Sequence, residues 1–113
     1  MMSQRLPYAV VYYVQSSGTT YNNDVGGNIS ITDLNTGDFR ISFPDLDTST
    51  RVMVFCQVRH TANRRFVRVT NLSSTGGQSG YSGYVDVACE TSGGNDSDFE
   101  GYIAIYAAEN IFE

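Results

Sequence analysis

His60 and Cys56 are the first residues to weigh for chemistry. A thiol and an imidazole make a nucleophilic pair when they touch and a third group orients the base. His60 is the one histidine of the chain, and Cys56 stands four residues before it. Arg59, Arg64 and Arg65 surround His60, and that density of charge belongs to the exposed tip of a hairpin over residues 60–64, not to a dry pocket. Cys56 lies in an alternating apolar run, as does Cys89, so both read as small buried hydrophobes. A disulfide between them stays open, since spacing alone does not establish one. No GxSxG, HExxH or P-loop spacing is present. The expectation is a protein without catalytic residues and without a cofactor.

Three further constellations could bind. Asn95-Asp96-Ser97-Asp98-Phe99-Glu100 offers oxygens, as do Asp45 and Asp47. Calcium wants six to eight of them, and the EF-hand spacing with its glycine is missing, so these residues read as turn formers and no metal is expected. Arg59, Arg64, Arg65 and Arg68 form a cluster. All seven cations of the chain are arginines, and the net charge is −5. An acidic domain lacks the basic surface that nucleic-acid affinity needs. The cluster reads instead as a patch that meets carboxylates of a neighbouring subunit through the planar guanidinium fork. The eight tyrosines divide. Tyr21, Tyr81 and Tyr84 flank polar loops and could stack on sugars, whereas Tyr12, Tyr13, Tyr102 and Tyr106 fit strand packing or a subunit seam.

The elements that must position these residues are strands. Phe39, Ile41 and Phe43 alternate with Asp38, Arg40 and Ser42, the period of a strand with one buried face. Asn35-Thr36-Gly37 before it suits a short hairpin loop with Gly37 at φ > 0, and Pro44 after it cannot donate to a ladder. Further strands are expected over 8–14, 28–34, 51–59, 65–71, 81–90 and 99–107, with a short edge strand inside the polar loop 15–27. Residues 72–80 and 92–98 read as Ser/Gly and Gly/Asp loops. No stretch of helical length has a 3.6-residue period. Only 17% of residues are charged, and Ser, Thr, Asn and Gly supply the polarity, as in strands joined by turns. The fold class is all-β: an antiparallel β-sandwich, expected as a jelly roll of seven or eight strands.

The 113 residues make one domain over 8–113 with an N-terminal arm over 1–7, and its core needs no staples. The N-terminus lacks the apolar stretch of a signal peptide, and the longest apolar run, 8–14, is too short to cross a bilayer. Synthesis in a cytoplasm and no membrane partner are therefore expected.

The order of the pieces resembles a known group. Asn35-Thr36-Gly37-Asp38-Phe39-Arg40-Ile41-Ser42-Phe43 precedes an apolar strand over 51–59. Tyr84-Val85-Asp86-Val87-Ala88-Cys89-Glu90 and Asp98-Phe99-Glu100-Gly101-Tyr102-Ile103-Ala104-Ile105-Tyr106 follow. This is similar to the small β-sandwich virion proteins of tailed bacteriophages, capsid decoration (cement) proteins and tail-fibre tips. There a "tGxYxVxF" strand, a valine strand and a closing "D..F.i.vy" strand recur. The likeness covers residues 28–107 by pattern. Phe39 stands where tyrosine is common, and no collagen-like or coiled-coil shaft precedes Tyr8. The resemblance implies a non-enzymatic structural protein of the virion, made in the host cytoplasm: a homotrimeric capsid decoration protein that binds the major capsid protein and stabilises the shell. Candidate interface residues are Tyr8, Tyr12, Tyr13, Arg59, Arg64, Arg65, Arg68 and Phe112. The alternative it implies is a fibre tip that binds host-surface glycan through Tyr21, Tyr81 and Tyr84.

Overall fold

A computed structural model describes residues 7–21, 27–43, 52–59, 65–73 and 83–107. His60, Arg64, Tyr81 and Phe112, as well as the arm up to residue 6, lie outside the described residues. Eight strands follow one another: β1 (Ala9–Val14), β2 (Thr19–Tyr21), β3 (Ser30–Asn35), β4 (Asp38–Phe43), β5 (Val52–Val58), β6 (Arg65–Ser73), β7 (Gly83–Thr91) and β8 (Glu100–Ala107). They form two four-stranded antiparallel sheets, β2-β1-β8-β5 and β3-β4-β7-β6. The first sheet is called sheet 1 below and the second sheet 2. The result is an all-β sandwich, with the short edge strand in its expected loop.

The alternation of each sequence run decides which face goes inside. Val11 and Tyr13 of β1, Phe39, Ile41 and Phe43 of β4, Val85, Val87 and Cys89 of β7, and Ile103 and Ile105 of β8 are buried between the sheets. Full burial of one such side chain contributes about 1.5–3 kcal/mol, so these four central strands hold the domain together. Tyr13, Phe39 and Phe99 form an aromatic trio, with ring centroids 5.2 Å apart for Tyr13–Phe39 and Phe39–Phe99 and 6.4 Å for Tyr13–Phe99. Tyr13 is thus a core residue, not a surface one.

The β3–β4 hairpin turns at Thr36-Gly37, and Gly37 takes φ +80°. Two requirements meet there. A left-handed backbone favours glycine, and a Cβ at this position would lie 2.5 Å from the Cys89 carbonyl oxygen. The turn is pressed against the end of β7: the Cys89 amide donates to the Gly37 carbonyl at 2.8 Å.

Two expectations need correction. β5 and β6 are not the two arms of a hairpin: β5 pairs with β8 in sheet 1 and β6 with β7 in sheet 2, and residues 60–64 lie outside the described residues. Two apolar strands in sequence carry no signal of which central strand each will pair with. Leu72 is not in a loop: β6 continues to Ser73 across a register shift between Val69 and Asn71, and an extra residue of that kind breaks the alternation on which a sequence reading depends.

Candidate functional site

The outward side of sheet 1 is the feature that sets this molecule apart. Cross-strand register builds it row by row. Tyr12 is opposite Tyr21 on one side and Tyr102 on the other, and Tyr102 is opposite Gln57. In the next row Val10, Ala104 and Phe55 line up, and beyond them Tyr106 and Met53. Tyr21, Met53, Phe55 and Tyr102 are each half or more exposed, Phe55 most of all at 61%. The Tyr12 and Tyr102 rings meet edge to face at 4.9 Å, and the Tyr12 and Tyr21 rings are tilted at 6.3 Å. Such aromatic pairs contribute about 0.5–1.5 kcal/mol beyond area, so the tyrosines hold one another in place.

One corner of this face is polar. Tyr12 Oη donates to Glu100 Oε2 at 2.5 Å, and Arg59 Nη1 donates to the same oxygen at 2.7 Å. The bond from Tyr12, and then that from Arg59, holds the Glu100 carboxyl below the usual range, while the bond to Glu100 pushes the Tyr12 phenol and the Arg59 guanidinium up. Glu100 therefore stays ionised and fixes both donors at the rim.

The outward side of sheet 2 is of another kind. Arg40 grips Asp86 with two bonds, Nε to Oδ1 at 2.6 Å and Nη2 to Oδ2 at 3.0 Å. Its guanidinium lies 3.9 Å from the Tyr84 ring centroid. Arg68 Nε donates to Glu90 Oε1 at 2.9 Å. The exposed apolar side chains here, Leu34 and Phe66, stand on the opposite edge strands β3 and β6. A cleft of about 380 Å³ on this side holds Asp38, Asp86, Glu90 and Asp96 beside Arg68. Desolvation and then Asp96 and Glu90 push the Asp38 carboxyl up. Among the described residues no three of His, Cys, Asp and Glu are placed to hold a metal ion.

The structure separates several candidates that the sequence had grouped. Arg59 directly follows β5 of sheet 1 and is matched by Glu100, whereas Arg65 and Arg68 belong to β6 in sheet 2, where Glu90 matches Arg68. Arg59 and Arg68 thus already have carboxylates of their own chain. Tyr21 and Tyr84 lie on different sheets, and the Arg40 guanidinium occupies a face of the Tyr84 ring, so these two do not share a sugar platform. Tyr8 Oη donates to the Asn28 carbonyl at 2.9 Å and accepts from the Asn28 amide at 3.0 Å, which ties β1 to the start of β3.

Gln15 was hidden from the sequence reading inside a polar loop. It is 2% exposed, and its Nε2 lies within 3.1 Å of Asp33 Oδ1 and the carbonyls of Asn35 and Asp38. Its Oε1 accepts from the Phe99 amide at 2.9 Å. One side chain thus closes an end of the sandwich across β1, the β3–β4 turn and the start of β8, and no local signal in a run of polar residues marks it. The two cysteines are free thiols. Burial pushes Cys56 up to about 12 and raises Cys89, which leaves little thiolate for nucleophilic work at neutral pH. No protein family, no curated protein and no solved structure matches this chain.

Proposed function

We propose that this chain is a non-enzymatic structural protein of a tailed-phage virion, a jelly-roll decoration protein that trimerises and reinforces the capsid shell. The single observation that carries the reading is the outward face of sheet 1, where Tyr21, Met53, Phe55 and Tyr102 stand half or more exposed beside Val10, Ala104 and Tyr106. Their exposed parts amount to roughly 400 Å² if each of the four leaves about half of its side chain in water. A patch of a few hundred Å² is ordinary on a monomer and often functional, and its aromatic make-up supports the reading of this one as a docking face. Of the jelly-roll pairings the strand order has β1 beside the last strand β8, whereas β1–β2, β3–β4 and β6–β7 pair within one sheet. The sequence resemblance supports the virion. Tyr21 and Tyr84 lie on different sheets, so the decoration reading is preferred to the glycan-binding alternative.

Sedimentation of the purified chain tests self-association, and a trimer is expected. Counting the protein in purified particles tests the place in the virion. A copy number set by shell symmetry is expected, and a few copies at the tail would overturn the decoration role.

A further inference from the structure

The sandwich is open along one side. Val67, Val69 and Leu72 of β6 are registered with Cys89, Val87 and Val85, which are buried, so all three belong to the inward side of sheet 2. Yet Val69 is 50% and Leu72 57% exposed. Across the gap the inward row of the edge strand β5, Val52, Val54, Cys56 and Val58, is only half-buried. A cavity of about 160 Å³ lined by Val54, Cys56, Val67, Arg68, Val69 and Val87 enters between the two strands. Register also shows what stands at the end of this opening. Gln15, just past Val14, bonds Asp33, Asn35 and Asp38, so the Val14–Glu100 end of sheet 1 meets the Asn35–Asp38 end of sheet 2. The opposite end then holds Ala107 beside Val52 in sheet 1 and Leu72 beside Val85 in sheet 2. The bonds between Tyr8 and Asn28, ahead of β1 and β3, belong to that same end. The chain therefore leaves β8 one strand away from the gap, at the end where Leu72 is uncovered.

We infer that the chain closes this opening itself: residues 108–113, which follow β8 and lie outside the described residues, lay Ile111 and Phe112 over Leu72 and Val69. The first argument is reach. Neighbouring strands are ~4.8 Å apart and facing sheets ~10 Å, so the path from Ala107 past β5 to Leu72 is roughly 11 Å. An extended chain advances about 3.3 Å per residue, and Ile111 is the fourth residue after Ala107. The first large apolar side chain of the segment thus arrives where the gap begins. The second argument is pattern. Ile111 and Phe112 are adjacent, between Glu109-Asn110 and Glu113. Neighbouring residues of an extended segment point to opposite sides, so one faces β6 and the other β5, while both carboxylates stay in water. The third argument is the competition. Residues 60–64 connect the far ends of β5 and β6. Residues 74–82 start beside Leu72 but hold only Ser, Thr, Gly and Gln before Tyr81, and residues 44–51 set Leu46 between Asp45 and Asp47. Residues 1–6 leave from β1, with β8 and β5 between them and the gap. The closure does not rest on the trimer proposed above, and it leaves the outward side of sheet 1 untouched.

A cross-link within one chain tests this. Leu72→Cys is combined with Ile111→Cys in a chain that also carries Cys56→Ala and Cys89→Ala, and the dilute protein is oxidised with glutathione disulfide. A disulfide joining positions 72 and 111 of the same chain is expected, read by mass after proteolysis. Phe66→Cys in place of Leu72→Cys puts the thiol on the outward side at the other end of β6, and no bond to position 111 is expected there. A 72–111 bond that fails to form, that forms no better than the 66–111 bond, or that joins two copies would overturn the closure. Stability gives a second reading with both native cysteines in place. Ile111→Ser with Phe112→Ser should lower the Tm of the unaltered chain, and should leave unchanged that of a chain already carrying Val69→Ser and Leu72→Ser, because residues in contact do not act additively. Equal losses in the two backgrounds would overturn the closure even if the cross-linking variants did not fold.

Discussion

The two sheets share a core but turn opposite chemistry outward. On sheet 2 each described strand pair that carries an arginine on its outward side also carries the carboxylate that matches it, as in Arg40–Asp86 and Arg68–Glu90. On sheet 1 the same outward positions hold tyrosine, phenylalanine and methionine, and the Arg59–Glu100 ion pair stands at the corner. Ordinary alternation puts polar residues on an outward face. Sheet 2 follows that rule except at Leu34 and Phe66 on its edge strands, whereas sheet 1 departs from it at Tyr21, Met53, Phe55 and Tyr102. A chain with free choice at surface positions gains no fold stability from Phe55 in water, and the proposed contact with another copy would account for the departure.

The largest effect that can break this comparison sets an inward aromatic against an outward one. Phe39 is fully buried at the centre of the aromatic trio, and Phe39→Ala should cost about 3–5 kcal/mol. Phe55→Ser should change the stability of the isolated chain by no more than ~0.5 kcal/mol while abolishing assembly. Urea unfolding of both variants at concentrations where the chain is monomeric checks this. A loss for Phe55→Ser comparable to that for Phe39→Ala would mean that the face is part of the fold and not a free surface.

Alkaline pH gives the next effect, and it sharpens the contrast between the inward and outward sides. Burial pushes the Tyr13 phenol from 10.0 up to about 12 and the Cys56 thiol from 9.0 up to about 12. For an acid whose pKa is raised by folding, the unfolded chain releases its proton first as pH rises. The unfolded state then binds fewer protons than the folded one, and stability falls with pH. The loss should begin near pH 9 and continue until about 12, where the folded groups ionise in turn. Thermal unfolding across this window checks it: Cys56→Val should reduce the lower part of the loss, to which Cys89 also contributes, and Tyr13→Phe the upper part. An unchanged decline in the double variant would place the titrating groups elsewhere.

Strand positions were legible because the inward rows alternate without interruption, as in Phe39-Arg40-Ile41-Ser42-Phe43 and Gly101-Tyr102-Ile103-Ala104-Ile105. The partners of those strands were not. Val52, Val54 and Cys56 look equally suited to pair with β6, the next strand, and only the three-dimensional arrangement shows that β8 takes that place. The face on sheet 1 was half legible. Tyr12 and Tyr102 could be named as packing or seam residues, and Met53 and Phe55 made β5 apolar on both sides. Nothing in the order of residues says that Tyr21, Tyr12 and Tyr102 fall in one row, because that depends on register between strands far apart in the chain. Gln15 was illegible for the opposite reason: a buried glutamine in a polar run is distinguished only by the acceptors that converge on it from β3 and β4.

The smallest effect compares the two ion pairs themselves. Arg40–Asp86 is doubly bonded, lies under partial cover with side chains 27% and 13% exposed, and has the Tyr84 ring against its guanidinium. Arg59–Glu100 shares one oxygen with Tyr12, with side chains 65% and 32% exposed. A bidentate pair shielded from water keeps its attraction, whereas an exposed pair loses it to solvent and salt. Asp86→Asn should therefore lower stability by about 1 kcal/mol, or a fall in Tm of roughly 4 °C for a domain of this size, and should leave assembly unchanged. Glu100→Gln should move Tm less, and the difference from the unaltered chain should fade as salt is added. Its effect should show instead in assembly, because Tyr12 and Arg59 lose the acceptor that fixes them at the rim of the aromatic face. If Asp86→Asn weakened assembly and Glu100→Gln did not, the roles of the two outward faces would be reversed.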